Sequence, residues 1–599
     1  MNTALSNKTI AVLPFMNMSA NQDAEFFSDG ITEEIINALA QLNHLKVTSR
    51  TSSFHFKGKN LPISEIGKSL NVGTILEGSV RLSGNEIRIT AQLIQVEDDF
   101  HFWSETWDRK LDHIFQVQDE ISLLIAEKLR EHFGHFEIKE HLITHQTNNV
   151  SAYEYSLKAK YLRNKWNPKD AREAISLYEK ALELDSKHTE SYVGLADCYS
   201  FLGTTGFLPF EEAWTKTIQF TQQALKLNDS HSGVHYMLAN QAFFVECNFN
   251  RSLQEIHKAI QLNPNNAEAQ QFASFLYILA GKRDLSRQHL EIALSLNPLS
   301  EETRFFYAYF HYMIQEYHTA KSLLDKSLLV NPKNIPAHAV RYICLLMLGK
   351  YDEVLHYFDK MPSDVIVEGE KTGALALAYA YKKDTTQTSK YLEKLKEKAG
   401  NPEGFTEDSY LFLLYCTLNE REKAFEWISN AWKNKSTLLL LRYADPLTKN
   451  IQSDPRYSEF HELIFHTDTL KSKDVKKKSL LDEATTRNYT AALLDFISQE
   501  QSFLDPTLSL RALAELIDIH PNQLSWLLNE SIGKNFNEFI NNYRIAHFKS
   551  LAKDPMNANI TIMGLAYDSG FNSKTSFNTY FKKEMDMTPK QYLKLYTGK

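Results

Sequence analysis

The feature that most constrains the fold is a period. Ala259-Ile-Gln-Leu-Asn-Pro264, Ala293-Leu-Ser-Leu-Asn-Pro298 and Ser327-Leu-Leu-Val-Asn-Pro332 recur at intervals of 34 residues. Ala224–Asn228 lies 35 residues before the first of these, and Ala181–Asp185 lies 43 before that, with Gly203–Pro209 as a local insertion. Each repeat presents one apolar helical stripe and stops. A helix pair of this kind buries only one face, so neighbours must stack to complete a core. Asparagine tolerates a left-handed turn after a helix, and proline cannot continue it.

The 34-residue spacing with its helix-ending Asn-Pro resembles the tetratricopeptide (TPR) repeat, and residues 150–466 allow roughly seven to nine copies. Tyr443–Pro446 and Ser453–Tyr457 resemble the terminal piece that closes such arrays. The aromatics Tyr277, Phe305, Phe306, Tyr309 and Phe310 read mostly as core at helical spacing, with some lining a concave groove.

Residues 9–137 have a different grain, alternating strand and helix signals. Thr9–Phe15 is an apolar run like a buried strand. Ile31, Ile35, Leu39 and Leu42 share a helical face behind Asp29-Gly30. Leu45–Thr48 reads as a short strand and Ile63–Leu70 as a short helix. Thr74–Leu82 and Glu86–Val96 flank Ser83-Gly84-Asn85, a hairpin signal, and Ile87, Ile89, Ala91 and Leu93 alternate with period two. Phe102–Trp107 adds a strand and Leu111–Phe133 a long helix, which makes an α/β layer domain. Asp29–Glu34 reads as a helix start whose acidic residues offset the dipole. The Trp103/Trp107 pair reads as core rather than a ligand pocket.

Ile10–Phe15, Asp29–Glu34, Arg50–Phe54, Phe56–Gly58, Leu76–Arg81, Arg88–Leu93, Trp103–Glu105 and Trp107–Arg109 resemble the TolB-like N-terminal module. The resemblance implies a non-catalytic regulatory or interaction module.

At the C-terminal end two related segments stand 52 residues apart before a turn and 53 after it: Ala514…Asp518…Leu524…Leu528 and Ala566…Gly570…Phe577…Phe581. Each reads as a short helix, a tight turn and a second amphipathic helix, placing helix-turn-helix units at about 508–531 and 560–584. In the second unit Ile560, Ile562, Leu565 and Ala566 form the first helix's stripe. Gly570 supplies the turn, Asn572 or Ser573 caps the next helix, and Phe577 and Phe581 face inward. That leaves Lys574, Thr575, Ser576, Asn578 and Thr579 outward, where a recognition helix reads base edges. Lysine donates to guanine, asparagine pairs with adenine and threonine meets the thymine methyl, while Lys582 and Lys583 suit phosphates. In the first unit Leu510, Leu513, Ala514, Leu524 and Leu528 face inward, and Pro521 opens the second helix. Asn522, Gln523, Ser525, Trp526 and Asn529 are outward or lateral.

The pattern Ala566…Gly570-Phe571…Phe577…Phe581-Lys582…Thr588-Pro589…Tyr592 resembles the AraC/XylS family of transcription regulators. The resemblance implies seven helices, a long helix near Asn535–Leu551 joining the two units, and successive major-groove contacts on one face of double-stranded promoter DNA. Asp586 stands where that family has glycine, and Trp526 where many members have arginine.

The expected organisation is therefore multidomain: a tail over 1–8, the α/β module over 9–137, an all-α TPR superhelix over 150–466, a linker over 467–487, and an all-α tandem helix-turn-helix domain over 488–599. The Lys471–Lys478 run reads as solvated linker. Net charge is −8, so nucleic-acid contact must be local. Residues 487–599 carry 12 Lys/Arg against 11 Asp/Glu, and the part from 560 onward carries 6 against 3, which places DNA affinity mainly on the second unit and favours a homodimer or a paired site. Cys198, Cys247, Cys344 and Cys416 stand apart and read as small core residues within helices, with neither disulfide nor zinc spacing. His132 and His135 read as surface histidines. No apolar run nears the ~20 residues of a spanning helix and no signal peptide opens the chain, so a cytoplasmic location is expected, with no membrane partner. No phosphate-cradling or nucleophile motif is present, and no catalytic residue, metal or cofactor is expected. The function expected is sequence-specific DNA binding in transcription regulation. A protein, peptide or small-molecule effector acts on the TPR or TolB-like modules, and RNA polymerase is a further partner. The alternative is a TPR scaffold whose C-terminal domain docks protein rather than DNA.

Overall fold

The computed structural model describes the chain except residues 1–7, 20–24, 43, 85, 111–113, 140–141, 143–146, 148, 400–403, 466–479, 558 and 597–599. Asn85 of the hairpin turn, the start of the Leu111–Phe133 segment and the Lys471–Lys478 run lie outside the described residues.

The N-terminal domain is a mixed α/β layer. Its strands are β1 (Thr9–Val12), β2 (Met16–Asn17), β3 (Lys46–Val47), β4 (Thr74–Ser83), β5 (Glu86–Gln95) and β6 (Phe100–Lys110). The order is β3-β1-β4-β5-β6, with β2 also on β4; β1 is parallel to β3 and β4, and β2 to β4, while β4–β5 and β5–β6 are antiparallel. The period-two reading of β5 holds: Ile87, Ile89, Ala91 and Leu93 are all buried. They face Trp107 and the apolar sides of helices Glu25–Ala40 and Ile114–Phe133, so Trp107 is core, with Trp103 packed at its edge. The expected single strand over Thr9–Phe15 divides, because the chain leaves β1 at Val12 and rejoins the sheet at Met16.

A second correction concerns Asp29–Glu34, which lie inside the Glu25–Ala40 helix rather than at its start. Gly30 serves packing there: a Cβ would sit 3.1 Å from the Tyr153 ring. Glu33, almost wholly buried, pairs with Arg50 (2.6 Å) and Lys160 (3.2 Å) instead of offsetting a helix end.

From Val150 to Lys433 the chain forms antiparallel helix pairs, from Val150–Arg163 with Pro168–Leu184 through Phe405–Thr417 with Arg421–Lys433. This TPR-like superhelix buries Tyr277, Phe305 and Phe310, as expected for core aromatics. The longer spacing around Gly203–Pro209 is explained by two extended helices, Thr189–Thr204 and Phe210–Leu227. The helix-ending asparagines are not left-handed: Asn263, Asn297 and Asn331 have φ of −144°, −138° and −127°. The following proline favours this extended conformation, and Asp185 and Asn228, which no proline follows, adopt it too, with φ of −144° and −155°. Cys198, Cys344 and Cys416 are buried in helices, whereas Cys247 lies in a turn, where its thiol donates to the Ser436 carbonyl at 3.2 Å. Tyr443 stacks on Tyr457 at 4.5 Å in the closing piece.

The N-terminal domain is docked on this array through the repeat turns. Asn297 accepts from the Ser49 and Ser52 hydroxyls (2.6 and 2.8 Å), and Asn265 donates to the Ala40 carbonyl (2.7 Å).

The tail is all helical. Among the described residues it contains Glu483–Glu500, Leu510–Leu516, Pro521–Trp526, Phe536–Lys553, Ile562–Asp568, Lys574–Met585 and Pro589–Tyr596. The long Phe536–Lys553 helix bridges two small cores, one around Leu513, Leu524 and Leu528, the other around Phe548, Phe577 and Phe581.

Candidate nucleic-acid interface

The second helix-turn-helix unit is built as its residues suggest. Thr561 caps Ile562–Asp568, accepting from the Gly564 amide at 3.0 Å. Leu565 and Ala566 are buried, whereas Ile560 precedes the cap and is exposed, a correction to its place in the stripe. The chain then turns at Gly570, whose φ is +88°. Of the two capping candidates the structure selects Ser573, which accepts from the Ser576 amide at 3.1 Å. Phe577 and Phe581 are fully buried against Phe548. Their burial turns the opposite face of the same helix outward. Asn572, Lys574, Thr575, Asn578, Thr579, Lys582 and Lys583 are exposed, while Ser573 and Ser576 are half-buried at the cap. Lys583 reaches back to Glu538 at 2.8 Å, an exposed pair of the kind that contributes about 1 kcal/mol or less. Asp586 ends the helix at φ +51°, in the left-handed conformation expected of it.

The first unit has the same skeleton. Ser509 caps Leu510–Leu516, Asp518 makes the turn at φ +54°, and Pro521 stands at the first position of the next helix. Its outward face, however, is not free. Asn522 is held edge to edge by the N-terminal domain: its Oδ1 accepts from Arg130 (2.6 Å) and from the Ile138 amide (3.2 Å), and its Nδ2 donates to the Ile138 carbonyl (3.2 Å). Gln523 completes a capping box with His520. Trp526 is half-buried over a cleft shared with Leu481, Glu483, Thr486 and Arg487. Ser525, on the same helical face as Asn522 and Asn529, is fully buried rather than exposed. The helix continues from Leu527 to Ile532 with a wider, π-type turn.

Sequence reasoning missed the residues on the other side of this contact. They lie at the end of the Ile114–Phe133 helix. Glu131 accepts from the Leu510 amide at 2.9 Å and Glu127 binds Arg511 at 2.5 Å. Asn535 donates to the His132 carbonyl at 3.0 Å. His132, read as a surface residue, is instead stacked on Phe102 at 4.1 Å. Burial, reinforced by the Lys583 cation, pulls its pKa down to about 4. Burial likewise lowers Arg130 to about 10, against the pull of Glu127 and Glu131. An amphipathic pattern marks a buried face but not its partner, so no local signal singled these residues out.

The fold and this site define a regulatory protein with a helix-turn-helix tail and TPR-like repeats, of the kind that binds nucleic acid, protein partners or both. Known family models match a part of each of the three domains, none of them a TolB-like or AraC/XylS model. Residues 513–595 match a helix-turn-helix domain, residues 6–124 the second domain of HilA/YgeH-like transcriptional regulators, and residues 288–361 subunit 3 of the anaphase-promoting complex (cyclosome).

Among curated proteins the chain is similar to putative adenylate cyclase 3 of Rhizobium meliloti, 34% identical over 239 residues, covering 39% of each chain. It is also similar to the TCP pilus virulence regulatory protein of Vibrio cholerae, 42% identical over 69 residues, or 12% of this chain and 24% of that one. An uncharacterized HTH-type transcriptional regulator of Staphylococcus aureus is 39% identical over 85 residues, or 14% of this chain and 11% of that one. The chain thus spans well under half the length of each of these relatives. A thermophilic TPR protein of Thermus thermophilus aligns over 33% of this chain and 97% of its own, at 20% identity and a TM-score of 0.25. The helix-turn-helix and TPR-type families matched are non-catalytic. Among the described residues no group of His, Cys, Asp and Glu is placed to hold a metal ion, and no helix is long and apolar enough to cross a membrane.

Proposed function

We propose that the protein is a sequence-specific DNA-binding transcription regulator whose tail is of the AraC/XylS type. The observation that carries this reading is the second unit's helix Lys574–Met585. It is anchored by Phe577 and Phe581 and presents Lys574, Thr575, Asn578, Thr579 and Lys582 together on an exposed face, with Asn572 exposed just before its cap. Lysine and asparagine on the first turns of such a helix match guanine and adenine edges, and lysines further along match phosphates. The helix-turn-helix regulators similar to the tail support the same reading. The TolB-like module and the TPR array receive a protein, peptide or small-molecule signal and pass it to the tail, which requires that signal to bind one arrangement of the domains better than another. RNA polymerase is a partner of the DNA-bound protein, and a homodimer on a paired site compensates for the tail's small positive charge.

Footprinting with the full-length protein on promoter fragments recovered by genome-wide mapping tests this. Protection is expected, with affinity falling steeply as salt rises, by about 0.9 log unit per log unit of salt for each phosphate neutralised. Absence of any protected promoter, or binding indifferent to salt, refutes it. One observation favours a second reading, a scaffold whose tail docks protein: Asn522, Arg511 and Leu510 of the first unit are already engaged by protein.

A further inference from the structure

The contact between the N-terminal domain and the first helix-turn-helix unit has three properties that bear on how the tail is used. It falls on the functional face. Asn522 sits on the first turn of the second helix, the part of a helix-turn-helix that enters the major groove. Its amide offers one acceptor and one donor, the same pair an asparagine presents to adenine, and here Ile138 takes both through its backbone N–H and C=O. A duplex and Ile138 cannot occupy that edge together.

The contact is also close-fitting. Gly134 approaches Asn529 so nearly that a Cβ would lie 2.3 Å from its Oδ1, and the backbone there is left-handed, with φ at +90°. Glu131 supplies the acceptor for the Leu510 amide, one of the donors at a helix start that the helix itself leaves unpaired.

Finally, the contact is polar. The apolar core of the N-terminal domain and that of the first unit are separate clusters. Between them stand Glu127–Arg511, Glu131–Leu510, Arg130–Asn522 and His132–Asn535. Polar boundaries of this sort resemble those of partners that separate, and unlike a shared apolar core they can part and exchange their hydrogen bonds for water.

We propose that the segment Glu127–Ile138 is an internal clasp that covers the first helix-turn-helix unit, so that in the arrangement described here a duplex meets only the second unit, and two-groove binding requires the clasp to open. The inference rests on the reading of the tail as a DNA-binding domain and adds to it the element that controls access. The second unit's outward residues are exposed while the clasp is closed, so the closed protein still engages a single groove.

The test uses the full-length protein and duplexes enriched from a random-sequence pool by the E127R variant. In this variant the new guanidinium faces Arg511 and opens the clasp. Hydrogen exchange over residues 509–523 reports the clasp without reference to DNA: E127R is expected to lose protection there, and the charge-exchanged E127R/R511E protein to regain it, which separates opening from misfolding. On DNA, wild type is expected to protect one groove. E127R extends protection by about one helical turn, roughly 10 bp, and binds about tenfold more tightly, because the competent state is no longer a minor fraction. Protection of both grooves by wild type, or a footprint or exchange pattern unchanged in E127R, overturns the clasp and leaves single-unit DNA binding intact. Absence of protection by either protein overturns the clasp and the DNA-binding reading together.

Discussion

Replacing Gly570 by alanine tests the turn that aims the second unit's recognition helix. Gly570 has φ +88°, and a Cβ there would lie 2.4 Å from the Phe503 carbonyl oxygen and 2.9 Å from the Leu504 Cα. These neighbours are backbone, and they cannot swing aside cheaply, because the Phe503 carbonyl is held by Arg544 Nε at 2.7 Å. Left-handed backbone in a residue with a Cβ costs about 1–2 kcal/mol. Forcing extra volume into a packed site costs about 1–3 kcal/mol more. The sum, about 3 kcal/mol, corresponds to roughly a hundredfold shift in the local opening equilibrium. Hydrogen-exchange mass spectrometry on the full chain reads this directly. Peptides over Ile562–Met585 and over Phe503–Leu504 are expected to exchange about a hundredfold faster. Peptides over Thr189–Leu227, in a different domain, stay unchanged. Exchange within about threefold of wild type over both tail segments would refute the steric argument.

Three further outcomes follow from the same geometry. Lys574→Ala is expected to relax base preference at one position, whereas Lys582→Ala weakens all sequences alike and reduces the salt slope by about one, both read by binding to a duplex panel at several salt concentrations. Asn297→Ala removes the acceptor shared by the half-buried Ser49 and the fully buried Ser52 and leaves both hydroxyl protons without it, weakening the docking of the N-terminal domain on the array by about 1–3 kcal/mol; limited proteolysis between the domains is the check. The pKa of His132 is lowered from 6.5 to about 4 in the folded chain, with Lys583 and Glu538 beside it, so its contribution is fully present above pH 6.5 and is lost as pH falls toward 4. Exchange protection over residues 509–523 is therefore expected to decline across that window in wild type and to decline less in His132→Gln.

Much of the architecture could be read from residues alone, because it rests on local periodicity. The 34-residue repeat required stacked helix pairs, the alternation of Ile87, Ile89, Ala91 and Leu93 required a half-buried strand, and Phe577 with Phe581 required a helix with one face inward. Asp518, Gly570 and Asp586 marked the turns because few residues tolerate positive φ there. The misreadings have a common cause. Asp29–Glu34 looked like a helix start until Gly30 met Tyr153 of the array, and His132 looked exposed until the tail covered it. Ser525, outward or lateral by its spacing, is fully buried between Asn522 and Asn529, the two residues that the N-terminal domain contacts.

Sequence by itself determined which segments become helices and strands and which face of each must be hidden, since these follow from spacing along one chain. Which surface hides each face was decided only in three dimensions. Ile138 and Asn522 are 384 residues apart, and no periodicity links them; their pairing exists because the N-terminal domain, fixed to the repeat turns by Asn265 and Asn297, brings the end of its last helix against the first helix-turn-helix unit. The two units therefore share one pattern but differ in access, one open to solvent and one closed by protein.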